Sequence, residues 1–201
     1  MEKPAKSLDA AFFNEMYRKN EDPWDFENSP YEKEKYEETL KAIPGTSYKN
    51  VFEIGCSNGI LSEKLAGLSA RLLAVDASDI AVKNAKKRLE NYPHVEVREM
   101  TIPNDFPDEK FDLILLSEVG YFLSKEDLIS ARDKMIDALS ENGHLLLVHW
   151  TPFVEEFPLT GDEVHDTFAV CAGTENSKSL VKLSGKTEEK YRLDLFEKKA
   201  V

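Results

Sequence analysis

Cysteine is scarce in this 201-residue chain: there are two, Cys56 and Cys171, far apart. Two unpaired thiols exclude a disulfide framework and a thiolate metal site, and a reduced, cytoplasmic chain is expected. The carboxylates and histidines lack clustered ligand spacing, so no metal is expected either. Long apolar runs are missing, since none approaches the roughly 18 residues that a membrane span requires. Met1-Glu2-Lys3-Pro4 is followed by polar residues and not by the apolar stretch of a signal peptide. Positive charge is short: 26 Lys and Arg face 38 Asp and Glu, for a net charge of −12. A surface that negative repels phosphate backbones and counts against a nucleic-acid partner. Internal repeats and Gly/Ser-rich linkers are also absent. The 41% hydrophobic and 32% charged residues that remain suit one packed domain, 1–201, and exclude disorder.

Residues 1–47 differ from the rest of the chain, being charged and aromatic. Asp9 to Lys19 reads as an amphipathic helix with Phe12, Phe13, Met16 and Tyr17 on one side. Asp22-Pro23-Trp24-Asp25-Phe26 is a proline-interrupted loop. Ser29 caps a second helix, with Pro30 in its first turn and Glu32 in the capping-box position; it runs to Ala42, before Pro44-Gly45. From residue 48 onward, strand and helix alternate. Strands are expected at Val51–Ile54, Arg71–Asp76, Val95–Glu99, Phe111–Ser117 and Leu145–Val148. Between them lie helices at Ile60–Ala66, from Ser78 to Glu90, and from Lys125 to Leu139, the last ended by Asn142-Gly143. This alternation means βαβ units, a parallel sheet and right-handed crossovers. The tail breaks the pattern: a helix from Asp162 to Cys171 precedes strands Ser179–Leu183 and Tyr191–Phe196, joined by a Gly185-Lys186-Thr187 turn. His94 and His144 read as surface turn residues.

The informative segment is Glu53-Ile54-Gly55-Cys56-Ser57-Asn58-Gly59, between the first core strand and its helix. Glycines there let the backbone turn sharply and approach a ligand closely. Asp76 ends the next strand about 20 residues on, where an acidic group meets ribose hydroxyls. The spacing is not the Gly-x-Gly-x-x-Gly of a dinucleotide loop, which disfavours a nicotinamide oxidoreductase, and the loop lacks a P-loop lysine. Glu53 would repel pyrophosphate but can help hold a zwitterionic amino-acid moiety.

On these residues the chain, from Val51 onward, resembles a class I S-adenosylmethionine-dependent methyltransferase, with Ser57 where that family has its middle glycine. The resemblance implies an α/β, Rossmann-like, mostly parallel sheet in the order 3-2-1-4-5-7-6 with strand 7 antiparallel. It implies S-adenosyl-L-methionine as cofactor and S-adenosyl-L-homocysteine as product. Cofactor contacts are then expected from Glu53, Gly55, Cys56, Gly59, Asp76, Ala77, Thr101, Ile102 and Ser117. Asp22 to Phe26, Ser29 to Glu32, Lys35-Tyr36 and Leu116 to Tyr121 narrow the resemblance to the nodulation protein S branch. Well-known members of that branch N-methylate the amino sugar of a chitooligosaccharide. In that light residues 1–47 form a helical lid over a core of 48–201. Tyr36 then joins the cofactor contacts, and Trp24, Tyr31, Tyr121 and His165 face a small-molecule acceptor.

Methyl transfer is an in-line displacement at a sulfonium methyl, so alignment and removal of any proton on the nucleophile are the tasks. Candidate catalytic residues are Glu118, after the fourth core strand, and His149, at the end of the fifth; both reach one strand-end crevice. A carboxylate at Glu118 attracts a cationic amine and suits N-methylation. His149 as base suits O-methylation of a hydroxyl. The alternative from another class is a non-catalytic protein that binds S-adenosylmethionine.

Overall fold

The computed structural model describes residues 4–173 and 179–200. Met1 to Lys3, where no signal peptide is expected, lie outside the described residues. The chain divides into two compact units, Asp9–Thr101 and Met1–Leu8 with Ile102–Val201.

In the unit Asp9–Thr101, helix α1 (Ala10–Lys19) starts at Asp9, whose carboxylate accepts from Phe12 N–H, and ends with Arg18 and Lys19 at the negative end of the helix dipole. Helix α2 (Pro30–Ala42) is capped by Ser29 with Pro30 in its first turn. Strand β1 (Val51–Ile54) is buried throughout and pairs in parallel with β2 (Leu72–Asp76), which pairs in parallel with β3 (Val95–Glu99). Helices α3 (Ile60–Ala66) and α4 (Asp79–Arg88) make the crossovers, α4 capped by the Ser78 hydroxyl. Helix α1 packs against α4. At β3, Glu96 pairs with Arg98 and Arg71, and charged side chains on an edge strand discourage stacking of further strands.

In the second unit, β4 (Phe111–Ser117) is an almost wholly buried strand. A 3-10 turn at Gly120–Phe122 and helix α5 (Lys125–Ala138) lead into β5 (Leu139–Trp150). The sequence predicts a helix to Leu139, an Asn142-Gly143 turn and a strand of four residues. Instead Leu139 already pairs with Phe111, and the register then shifts so that Leu113 faces His144. The Asn-Gly pair is absorbed inside the strand as a bulge, with Asn142 at φ 58°. His144 is therefore a strand residue and not a turn residue. Helix α6 (Gly161–Ala169) has a full capping box between Thr160 and Glu163. Strands β6 (Leu180–Thr187) and β7 (Tyr191–Lys198) form the expected hairpin, but Gly185 to Thr187 belong to β6, and the turn falls at residues 188–190. The polar, glycine-containing sequence of β6 that suggested a turn is that of an exposed edge strand.

The seven described strands lie in the order β3-β2-β1-β4-β5-β7-β6, and β7 runs antiparallel to β5 and β6. This is the sheet that the sequence resemblance implies.

Candidate functional site

In the unit Asp9–Thr101, β1 delivers the chain into a turn with three left-handed residues: Gly55 at φ 83°, Ser57 at φ 49° and Gly59 at φ 79°. Glycine is needed twice over at position 59, because a Cβ there would stand 3.2 Å from Ala85 and Leu89. Gly55 and Cys56 N–H both donate to Val75 O, at 2.8 and 2.9 Å, tying the loop to β2. The Asp76 carboxylate accepts from Ser57 N–H on one oxygen and Ser78 N–H on the other, each at 2.9 Å. Burial raises its pKa, against the opposing pull of the Ser78, Ser57 and Ala77 backbone N–H groups. Glu53 is 2% exposed and accepts from the Ser62 hydroxyl. Burial pushes its carboxyl up to about 7 despite that hydrogen bond, and the nearby Asp76 adds to the rise. The Cys56 thiol is raised well above its ordinary value by burial, which leaves it neutral and unreactive.

The N-terminal segment is fastened to the same turns. Tyr17 OH and Ser57 Oγ share a hydrogen bond of 2.6 Å, and Ser78 Oγ donates to Asn14 at 2.6 Å. Asn58 Nδ2 donates to Glu21 O at 2.8 Å, and Arg88 pairs with Glu27. Tyr17, Trp24, Phe26 and Tyr36 follow one another ring against ring, with centroids 5.7, 5.5 and 6.2 Å apart. Tyr17, Asn14 and Asn58 are given no part in the site by the sequence reading. The signal was Ser57, which puts a hydroxyl where the resemblance expects glycine and gives Tyr17 a partner.

In the other unit, the segment after β4 is clamped. Glu118 sits at φ 58°, and its N–H donates to Val148 O at 2.9 Å. Its carboxylate accepts from Tyr121 OH at 2.6 Å and from Trp150 N–H at 2.9 Å. Tyr121 stacks on Phe157 with centroids 5.1 Å apart and meets the His149 ring edge-on at 5.6 Å. The structure thus brings Glu118, Tyr121, His149 and His165 into one cluster, since the two histidine rings are themselves bonded at 3.2 Å.

His149 is fully buried; its Nε2 accepts from Gly120 N–H at 3.1 Å and its Nδ1 bonds His165 Nε2. Both ring nitrogens are thus engaged within the chain, which counts against His149 as the base for a hydroxyl acceptor. His165 is also fully buried, bonding His149 through one ring nitrogen and Asp194 at 2.7 Å through the other. Burial lowers its pKa, outweighing Asp194. Among the described residues no group of His, Cys, Asp or Glu is placed to hold a metal, and no helix is long and apolar enough to cross a membrane.

The sheet order, the glycine turn and the acidic end of β2 define the S-adenosylmethionine-dependent methyltransferase class. A crystal structure of a Pseudomonas syringae protein assigned as a methyltransferase is 35% identical to this chain, with a TM-score of 0.72, covering 84% of this chain and 99% of that one. The family model for nodulation protein S, NodS, matches residues 13–152, and the chain belongs to that family. Nodulation protein S of Sinorhizobium fredii is 28% identical over 130 residues, 63% of this chain and 59% of that protein. The matches to two further NodS relatives span 54% and 50% of their lengths. The N-methyltransferase NodS from Bradyrhizobium japonicum, solved with S-adenosylhomocysteine, shares the fold with a TM-score of 0.82 at 24% identity, covering 95% of this chain and 99% of that one.

Proposed function

We propose that this chain transfers a methyl group from S-adenosylmethionine to the amine of a small-molecule acceptor, an amino sugar being the first candidate. The observation that carries the reading is the pair of carboxyl groups at the glycine turn, Glu53 buried and Asp76 part-buried. Glu53 is an acid whose ionised form is strained by burial, and a ligand bearing positive charge relieves it. Asp76 is held by backbone N–H groups at the end of β2, and a ribose diol suits it as a pair of donors. S-adenosylmethionine has both features, and it supplies a methyl already activated on a sulfonium. Gly55, Cys56, Gly59, Ala77 and Thr101 belong to the same proposed surface, with Tyr36 in the aromatic row beside it.

The acceptor side is assigned to Glu118 and Tyr121. The Glu118 carboxylate attracts a cationic amine, and a neutral amine then needs orientation and desolvation more than a base. The engagement of both His149 nitrogens favours this reading over O-methylation through a histidine base. A NodS relative described as an N-methyltransferase supports the same choice. Incubation with methyl-labelled S-adenosylmethionine and a panel of amino sugars, small phenols and carboxylic acids tests it. Label is expected on the amines. Label on phenols or carboxylic acids alone would overturn the amine assignment, and no transfer despite cofactor binding would leave a non-catalytic binding protein.

A further inference from the structure

Glu118 is a non-glycine residue at φ 58°, a left-handed conformation that persists where its surroundings enforce it. Two residues on, Gly120 opens a single 3-10 turn, so its N–H has no partner within that turn. Nothing larger than glycine fits there: a Cβ would stand 2.5 Å from Val164 and 3.0 Å from His149 Nε2. The N–H is satisfied by a ring nitrogen of a histidine with no solvent exposure.

That single hydrogen bond fixes the protons behind it. A backbone N–H only donates, so His149 Nε2 must be the bare nitrogen and Nδ1 must carry the proton. His149 Nδ1–H therefore donates to His165 Nε2 at 3.2 Å, and His165 Nδ1–H donates to Asp194 Oδ2 at 2.7 Å. Asp194 is 1% exposed and is held in turn by Arg192 Nε at 2.9 Å and Lys182 Nζ at 2.6 Å. The chain of donors runs in one direction, from the turn beside Glu118 to the β6–β7 hairpin. Burying three polar side chains is costly against an apolar core of the same volume, so stability alone is a poor reason for them.

We propose that Asp194, His165 and His149 are positioning residues for the reaction: they hold the Glu118–Tyr121 turn in its acceptor-binding form by keeping His149 neutral with its proton on Nδ1. The proposal rests on the assignment of Glu118 to the acceptor side. The groups facing the relay are Glu118 and Tyr121 from the turn, Asp162 and Asp166 from α6, and Lys182, Arg192 and Asp194 from the hairpin. Lys125 and Arg132 of α5 bond Thr167 on α6. Were His165 protonated, both its nitrogens would donate; His149 would then have to accept at Nδ1 and present an N–H to the Gly120 N–H, and the turn would lose its anchor.

Two measurements test this. Nitrogen-15 NMR of the histidine-labelled wild-type chain at neutral pH should show both rings neutral with the proton on Nδ1; an Nε2–H form at either ring overturns the relay. This readout needs neither turnover nor a variant that folds. His165→Leu should raise the KM for a methylated amine about tenfold, as one lost hydrogen bond implies, while the Kd for S-adenosylhomocysteine stays within about twofold. An unchanged KM would overturn the proposal, as would equal losses in both quantities. If no amine is methylated, the functional reading fails, and the NMR result still decides the relay.

Discussion

Glu53 and Asp194 are both almost fully buried carboxyl groups, yet burial has opposite outcomes for them. At Glu53 the Ser62 hydroxyl donates to the carboxylate, and the pKa still rises to about 7. At Asp194 burial also pushes upward, but His165, Lys182 and Arg192 together outweigh it and hold the carboxyl below its ordinary value. The glycine turn is thus left electrostatically incomplete, as a surface that receives a cation should be. The histidine relay is complete within the chain, as a fixed support should be. On the proposed reading, the raised carboxyl marks a binding surface and the lowered one a support.

The sharpest way to break this contrast is to remove each acid. Asp194→Ala leaves a buried His165 N–H without its acceptor and should cost about 3–5 kcal/mol of stability in denaturant unfolding. Glu53→Gln should do the reverse at pH 8, raising the stability of the ligand-free chain by an amount on the order of 3 kcal/mol. The pH dependence follows the same signs. The folded pKa of Glu53 lies above its unfolded value of 4.5, so its contribution is fully present below pH 4.5 and is lost as pH rises to about 7. His165 has a folded pKa below 6.5, so its contribution is present above pH 6.5 and is lost as pH falls. Melting curves of Glu53→Gln should therefore lose the decline between pH 4.5 and 7 and keep the acid-side decline. A variant that keeps both would show that Glu53 is not strained.

Smaller effects sharpen the picture of the turn itself. Asp76→Ala should weaken S-adenosylhomocysteine binding by about 1.5–3 kcal/mol, through loss of hydrogen bonds to a charged acceptor. Calorimetry on the folded variant reads this directly, and unchanged affinity would remove Asp76 from the cofactor surface. Tyr17→Phe deletes the hydrogen bond to Ser57 and should cost about 0.5–1.5 kcal/mol of stability. A neutral result would mean that the N-terminal helix is not latched to the glycine turn through that hydroxyl.

Much of the fold was legible because its elements carry local signals. The caps at Ser29 and Ser78, the apolar runs of β1, β2 and β4, and the two glycines of the turn act within a few residues of where they stand. The errors came where tertiary pairing overrode local chemistry. Asn142-Gly143 is a turn signal absorbed into β5 as a bulge by pairing with β4, and Gly185 is drawn into β6 by pairing with β7. The candidate site was legible in its glycines and acids, which share one short motif. The relay was not, because His149, His165 and Asp194 come from three separate elements with no common spacing. Each histidine's position can be read in the sequence but its burial cannot, and burial is what counts against either as a base.

What the glycine turn binds is the most direct test of the cofactor assignment. Wild-type chain should be titrated by calorimetry with S-adenosylhomocysteine and, separately, with NAD, and its melting temperature followed in parallel. Saturable binding of S-adenosylhomocysteine with a raised melting temperature is expected, because a ligand that binds only the folded state stabilises it, and no response to NAD. Binding and stabilisation by NAD with none by S-adenosylhomocysteine would contradict the assignment.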